Sequence, residues 1–191
     1  MKDLYICSPE RFYAGDTQNY IRQRQQDYDK QWIYNLISST NMYDNARQHE
    51  QIFINEEQWM LCKDIHPGRD TRYLVVFKDL CLSTIRALDA SHLMLLEDVR
   101  TRVRAFLGSQ HSTSEAADFR IFFHYMPSVY QLHAHISTHT MPAQVVRRHY
   151  LNHVIRNIKQ NSHHYKNALI LTSSTRKIRS VLCRQENRSA E

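Results

Sequence analysis

The 191-residue sequence predicts an α+β fold, a largely antiparallel sheet with packed helices. Three observations carry that reading. Short runs suited to half-buried strands come in groups of three and two instead of alternating one by one with helices. Longer stretches with apolar residues three and four apart separate those groups. Turn-forming residues lie between neighbouring strand runs.

Taken in order, residues 17–36 place Tyr20, Ile21, Tyr28, Trp32, Ile33 and Leu36 at helical spacings, with Asp16 or Thr17 as the cap. Residues 38–50 are polar and read as a loop. Strand runs follow at 51–55, 58–63 and 72–78, the last two joined through the turn at Pro67 and Gly68. A helix over 90–107 has Asp89 as its N-cap, Leu88 and Leu93 as a staple, and Leu96, Val99, Val103 and Leu107 along one face. Gly108 is expected to stop it. After a polar loop, 119–125 and 129–138 read as two strands joined around Met126, Pro127 and Ser128. A further helix from about Pro142 carries Val146, Tyr150, Val154 and Ile158 on one stripe. Residues 168–172 form a closing strand, and the remainder reads as a short helix and a frayed tail.

Composition narrows the function. Apolar residues make up 42% of the chain, enough to bury a core, so disorder throughout is excluded. With three Gly and four Pro, neither G-x-G-x-x-G nor a Walker-type lysine loop can be written anywhere. Cys7, Cys62, Cys81 and Cys183 show no C-x-x-C spacing, which argues against a zinc ribbon or a thioredoxin motif and for reduced thiols. No apolar run approaches the roughly 20 residues that span a bilayer. Met1-Lys2-Asp3-Leu4 lacks the apolar region of a secretory leader. An intracellular protein of the cytoplasm or nucleus, without a membrane partner, is expected. The net charge of +6 suits a polyanionic ligand such as a nucleotide or RNA. Much of that excess lies in Arg176, Lys177, Arg179, Arg184 and Arg188, which read as a solvated basic tail.

The chemistry concentrates in His124-Tyr125-Met126-Pro127-Ser128-Val129-Tyr130-Gln131-Leu132-His133-Ala134-His135-Ile136. On a strand, alternate side chains share a face, so Gln131, His133 and His135 line one side while Tyr130, Leu132, Ala134 and Ile136 face the core. His124, on the preceding strand, can reach the same cleft across the hairpin. A neutral imidazole, with a pKa near 6.5, is a good nucleophile at neutral pH. Its attack on phosphorus divides one difficult displacement into two easier ones. A neighbouring imidazole can stabilise phosphate charge and assist the leaving group. From the residues alone, three readings stay open. One is this metal-free phosphoryl chemistry. The second is a zinc or copper pair completed by His124, His139 or His149. The third is a set of structural histidines in a chain that has twelve.

The same stretch resembles the signature of the scavenger mRNA-decapping enzymes, a branch of the histidine-triad superfamily. Further blocks of similar sequence occur in the family's order: Ser8-Pro9-Glu10, Gln31-Trp32-Ile33-Tyr34-Asn35-Leu36, Met60-Leu61-Cys62-Lys63-Asp64-Ile65, Leu88 through Leu96, Val146-Arg147-Arg148-His149-Tyr150-Leu151, and His163-His164-Tyr165. The resemblance implies hydrolysis of methylguanosine cap dinucleotide or short capped mRNA fragments, releasing 7-methyl-GMP. It implies His133 as the attacking residue, assisted by His135 and His124. Ser128 and Arg147 would hold phosphates. Trp32 would stack on the cationic methylated base, a pairing that an indole face suits. Asp64 would accept hydrogen bonds from that base, with Glu50 as a second acceptor.

Without the resemblance, Trp32 reads as a core aromatic, Asp64 as a turn former before Pro67 and Gly68, and Arg147 as a solvent-facing helix residue. Departures from the family pattern are Gln131 at the first triad position, Val129 in place of a Tyr, and His66 where a Lys is usual. The resemblance begins near the hinge of the family's swapped N-terminal domain, which is therefore expected to be absent. The organisation expected is an arm and helix over 1–37 carrying Trp32, a histidine-triad-like catalytic domain over 38–175, and a basic tail over 176–191. The protein is expected to work as a homodimer without metal or cofactor. Two alternatives are another histidine-triad hydrolysis, such as that of dinucleoside polyphosphates, and a non-catalytic cap-binding or RNA-binding module.

Overall fold

A computed structural model of the chain describes residues 4–38, 52–64, 71–138 and 148–173. Among these residues the principal element is a six-stranded sheet in the order β2-β3-β4-β6-β5-β7. Its strands are β2 (Ile52–Asn55), β3 (Trp59–Lys63), β4 (Thr71–Phe77), β5 (Arg120–His124), β6 (His133–Ser137) and β7 (Arg148–Tyr150). Every neighbouring pair is antiparallel. A separate two-stranded ribbon pairs β1 (Leu4–Cys7) with β8 (Ile170–Ser173). The helices are α1 (Pro9–Tyr13), α2 (Gly15–Gln26), α3 (Gln31–Ser38), α4 (Leu93–Gln110), α5 (Thr113–Asp118), α6 (Leu151–Gln160) and α7 (His164–Asn167). The fold is the α+β type with an antiparallel sheet that the sequence predicts. No described helix is long and apolar enough to cross a membrane.

The sheet has two covered faces, and strand alternation decides which residues line each. One face presents Trp59, Leu61, Val75, Phe77, Ala134, Ile136, Ile121 and Phe123 to the main core. Leu96, Val99, Val103 and Leu107 of α4 join that core, as do Leu151, Val154, Ile155 and Ile158 of α6. Trp59 also donates its indole N–H to Asp98 of α4 at 2.9 Å, so the helix is held in register as well as packed. The opposite face is covered over β3 and β4, where Ile33 and Leu36 of α3 bury against Met60, Cys62, Leu74 and Val76. Over β6 and β5 that same face carries histidines instead, flanked by Arg148 and Tyr150 of β7.

Several local expectations are corrected. The helix expected over 17–36 is interrupted: α2 ends at Gln26, Asp27 is extended with ψ 128°, and a 3-10 turn at Tyr28–Lys30 leads into α3. The break lets α3 turn its apolar side onto the sheet independently of α2. Gly108 does not stop α4, which runs on to Gln110; the residue sits in open space on the exposed side of the helix. The polar segment before β5 contains α5, closed by a capping box between Ser112 and Glu115. The expected helix from Pro142 is replaced over 148–150 by the edge strand β7. Its residues pair with β5, so Tyr150 caps α6 instead of riding on its apolar stripe. Residues 139–147 and 174–191 lie outside the described residues, as do the loop at 39–51 and the turn at 65–70.

A buried arginine links the ribbon to the sheet. The Arg86 guanidinium donates to the carbonyls of Cys7 (2.7 Å), Tyr165 (2.9 Å) and Ala168 (3.1 Å), and to the Tyr125 hydroxyl (2.6 Å). It also lies about 5 Å from the ring centres of Phe12 and Tyr125. Burying a cation is tolerable only with such complete satisfaction. The Tyr125 phenol, pushed up by burial, stays protonated and donates in turn to Cys7 Sγ. Among the described residues Cys7, Cys62 and Cys81 are free thiols.

His149 sits on the core side of β7 with Nε2 buried and unpartnered. Burial, with His164 and Arg86 nearby, pushes its pKa down to about 4. The unfolded ring takes a proton near 6.5, the folded one only near 4, so the unfolded state binds more protons between those values. Stability should therefore fall as pH drops from about 6.5 towards 4, by up to about 3 kcal/mol from this group. His149→Phe should flatten denaturation midpoints across that window; an unchanged pH slope would refute the assignment.

Candidate active site

The site is built on the histidine-bearing half of the sheet. β6 lies between β4 and β5, with Val76 opposite His133 and both Leu74 and Phe122 opposite His135. Two flanking ladders leave its register no freedom. Consequently His133 and His135 project together from one face while Ala134 and Ile136 enter the core. Their ring centres are 5.1 Å apart, and His124 at the end of β5 comes within 4.5 Å of His135. The three imidazoles are thus assembled in one place, as the alternation predicts.

His133 is held by the backbone. Its Nδ1 lies 2.6 Å from the carbonyl oxygen of Gln131, an atom that can only accept. Nδ1 therefore carries the proton and, in the neutral ring, Nε2 carries the lone pair. That fixes which nitrogen can attack. The Gln131 side chain goes elsewhere. β6 starts only at His133, and the chain bends through 128–131, so the expected strand over 129–138 is shorter and Gln131 is not on the histidine face. Its amide donates to the carbonyls of Phe77 (2.7 Å) and Asp79 (2.9 Å), pinning the segment before β6 to the end of β4. The residue orients His133, but through its main chain.

Asp64 follows the last residue of β3 and continues the face of Met60 and Cys62. Its largely buried carboxylate stands 3.7 Å from His135 Nδ1. That distance is coulombic contact and not a hydrogen bond, and His135 Nδ1 is buried without a hydrogen-bond partner. Asp64 thus faces the imidazole pair. Trp32, on α3, is partly buried at the rim of the cluster over β3 and β4, on the same side of the sheet as the histidines. Ser128 is exposed in the loop joining β5 to β6. Val129 beside it is buried in the α3 cluster. Glu50, His66 and Arg147 lie outside the described residues. No three described His, Cys, Asp or Glu side chains converge as a metal-ligand set.

Two site residues escaped the sequence reading. Phe122 stacks on His135 at 5.8 Å and 24°, and the Arg148 guanidinium lies over the Phe122 ring, 4.4 Å from its centre. Phe122 precedes His124 by two residues and shares its face, a signal the alternation already contained. Arg148 could have been found only by reading 148–150 as a strand, since its position depends on pairing with His124.

An antiparallel sheet presenting His133 and His135 from one central strand, with a carbonyl-anchored His133, is the architecture of a histidine-triad protein. Residues 31–150 match the family described as the scavenger mRNA decapping enzyme C-terminal binding region. The chain belongs to that family. Its curated relatives include the m7GpppX diphosphatases of Sus scrofa (28% identity, covering 86% of this chain and 50% of the relative) and Caenorhabditis elegans (27%, covering 85% and 53%). That of Ascaris suum is 26% identical, covering 97% of this chain and 62% of the relative. The chain spans about half the length of the curated relatives it matches. Among solved structures, aprataxin ortholog Hnt3 in complex with DNA aligns with a TM-score of 0.47 at 15% identity, over 87% of this chain and 95% of that one.

Because the Gln131 amide serves the buried carbonyl of Phe77 and the part-buried one of Asp79, Gln131→Ala should lower the unfolding free energy by about 1–3 kcal/mol. Urea denaturation would show it; a variant as stable as the parent would mean those bonds do not hold the loop.

Proposed function

We propose that the protein hydrolyses the 5′-5′ triphosphate of methylguanosine cap dinucleotide or of short capped RNA, releasing 7-methyl-GMP. The observation that carries this reading is the anchored His133: a donor-locked Nδ1 leaves Nε2 as the attacking nitrogen. Family membership and the diphosphatase names of the relatives support the substrate class.

In the proposed reaction, Nε2 of His133 attacks the phosphorus next to methylguanosine. An N–P bond forms and the P–O bond to the rest of the phosphate chain breaks, so that chain departs with its electron pair. Water then cleaves the N–P bond, giving 7-methyl-GMP and restoring the imidazole. His135 and His124 supply hydrogen bonds and positive charge to the phosphate oxygens in both steps. The buried Nδ1 of His135 makes no hydrogen bond and stands 3.7 Å from the Asp64 carboxylate. Arg148, over Phe122, adds a fixed cation beside the imidazoles. Ser128, on the loop between the two catalytic strands, would contact a phosphate, as would Arg147 and His66. Trp32 would stack on the methylated base at the rim, with Asp64 and Glu50 as acceptors for its edge. The working unit is proposed to be a homodimer.

With cap dinucleotide in excess EDTA, the parent protein should turn over, and His133→Asn should lose activity by at least about 10³-fold. Turnover that survives His133→Asn would refute the nucleophile. Trp32→Ala should raise KM for methylated cap about 2- to 30-fold while changing that for the unmethylated analogue little, the span expected of one cation–π contact. Equal use of both analogues by the parent would instead favour a general dinucleoside polyphosphate hydrolase. No turnover by the parent, with cap binding retained, would favour a binding module.

A further inference from the structure

A second, strongly basic concavity lies at the other end of the catalytic strands. It has a volume of about 310 Å³ and is walled by Arg100 and Arg104 of α4, Arg120 at the start of β5, and Tyr150, Asn152 and His153 where β7 turns into α6. Among the described residues no carboxylate lines it. Arg100 and Arg104 are one helical turn apart and therefore side by side, a repulsive like-charge arrangement on a helix. Neither donates a hydrogen bond to another described residue. Glu97, the acid one turn before Arg100 on α4, is engaged by Lys159 at 2.5 Å. Arg120 does have structural work, since one of its nitrogens donates to the carbonyls of Ala117 and Phe119 and closes the end of α5. Three guanidinium groups around one hollow repel each other unless an anion joins them.

Tyr150 links the pocket to the histidine cluster. Tyr150 pairs directly with Phe122 in the sheet, ring centres 6.1 Å apart, and Phe122 stacks on His135. On the outer side Tyr150 meets His153 at 5.9 Å. β6 runs from His133 at one end to Ser137, which pairs with Arg120, at the other. Four residues of strand span about 13 Å. A chain of phosphates leaving His133 along β6 thus passes the Arg148–Phe122–Tyr150 row and reaches Arg120, with Arg100 and Arg104 of α4 around the sheet edge, on the side of the main core.

We propose that this pocket binds the phosphodiester backbone of the RNA that follows the cap, beyond the reach of a cap dinucleotide. The inference rests on the reading of the site as acting on capped RNA. Guanidinium groups hold phosphates in fixed, often bidentate geometry. Tyr150 offers a stacking platform that tolerates any base. Single-stranded RNA is favoured over an acidic protein segment because Tyr150, itself in the pocket wall, touches Phe122 of the histidine site and His153, so that rings stand beside guanidinium groups as bases stand beside phosphates.

The test uses a fluorescent, uncapped 10-nucleotide single-stranded RNA with a 5′-hydroxyl, which binds without being a substrate. The double variant Arg100→Gln/Arg104→Gln alters two surface side chains of α4 and spares Arg120. It should bind the RNA about 10-fold more weakly at low salt. The slope of log affinity against log salt should shrink by about 1.4, the loss of two phosphate contacts to a single strand. Its kcat and KM on cap dinucleotide should match the parent. Unchanged RNA affinity and salt slope, with cap dinucleotide hydrolysis intact, would overturn the pocket alone. So would a change of oligomeric state by light scattering at unchanged RNA affinity, which would make this face a protein interface. Arginine-dependent RNA binding by a parent protein that does not hydrolyse cap dinucleotide would sustain the pocket and remove the enzymatic reading.

Discussion

Everything at the site depends on the alternation of β6 between two ladders. A shift of one residue would turn His133 and His135 into the main core and expose Ala134 and Ile136. The core forbids that, because Ala134 and Ile136 are fully buried among residues of β4, β5 and the α4 face. The free energy that packs the core is therefore the same free energy that holds two imidazoles 5.1 Å apart. Site geometry and stability are not separate designs in this molecule.

The second requirement is that the segment entering β6 be fixed, because its carbonyl orients His133. Three sets of bonds do this. The Gln131 amide clamps the end of β4. The Leu132 N–H donates to the Leu82 carbonyl at 2.6 Å. Further back, the Thr172 hydroxyl donates to the Tyr125 carbonyl (2.6 Å) and accepts from the Met126 N–H (2.9 Å). The β1–β8 ribbon thereby holds the loop that follows His124, and Arg86 holds the ribbon to Tyr125. A buried guanidinium thus bears on where the loop between β5 and β6 begins.

The two halves of the site face have different coverings for a physical reason. Over β3 and β4 the exposed side of the sheet is Met60, Cys62, Leu74 and Val76, apolar surface that α3 buries. Over β6, β5 and β7 it is His133, His135, Phe122, His124 and Arg148, polar or aromatic groups suited to an anion. Trp32 and Asp64 stand on the α3-covered half, and Asp64 reaches the boundary, 3.7 Å from His135 Nδ1. A substrate with a cationic ring at one end and phosphates at the other matches that change of character.

By itself, the sequence determined the fold class, the strands β2, β3 and β4, the face of α4, and the pairing of His133 with His135. Each follows from local periodicity, which depends only on spacing along the chain. Tertiary structure alone decided the rest. The break at Asp27 exists because α3 has its own surface to cover. Residues 148–150 became a strand because β5 offered an unpaired edge, and that brought Arg148 to the imidazoles. The Gln131 side chain is engaged by the carbonyls of Phe77, at the end of β4, and of Asp79 beyond it. In each case the deciding partner lies many residues away, so no local pattern could announce it. His133 is the residue on which both sources agree, and the structure added that the Gln131 carbonyl holds its Nδ1.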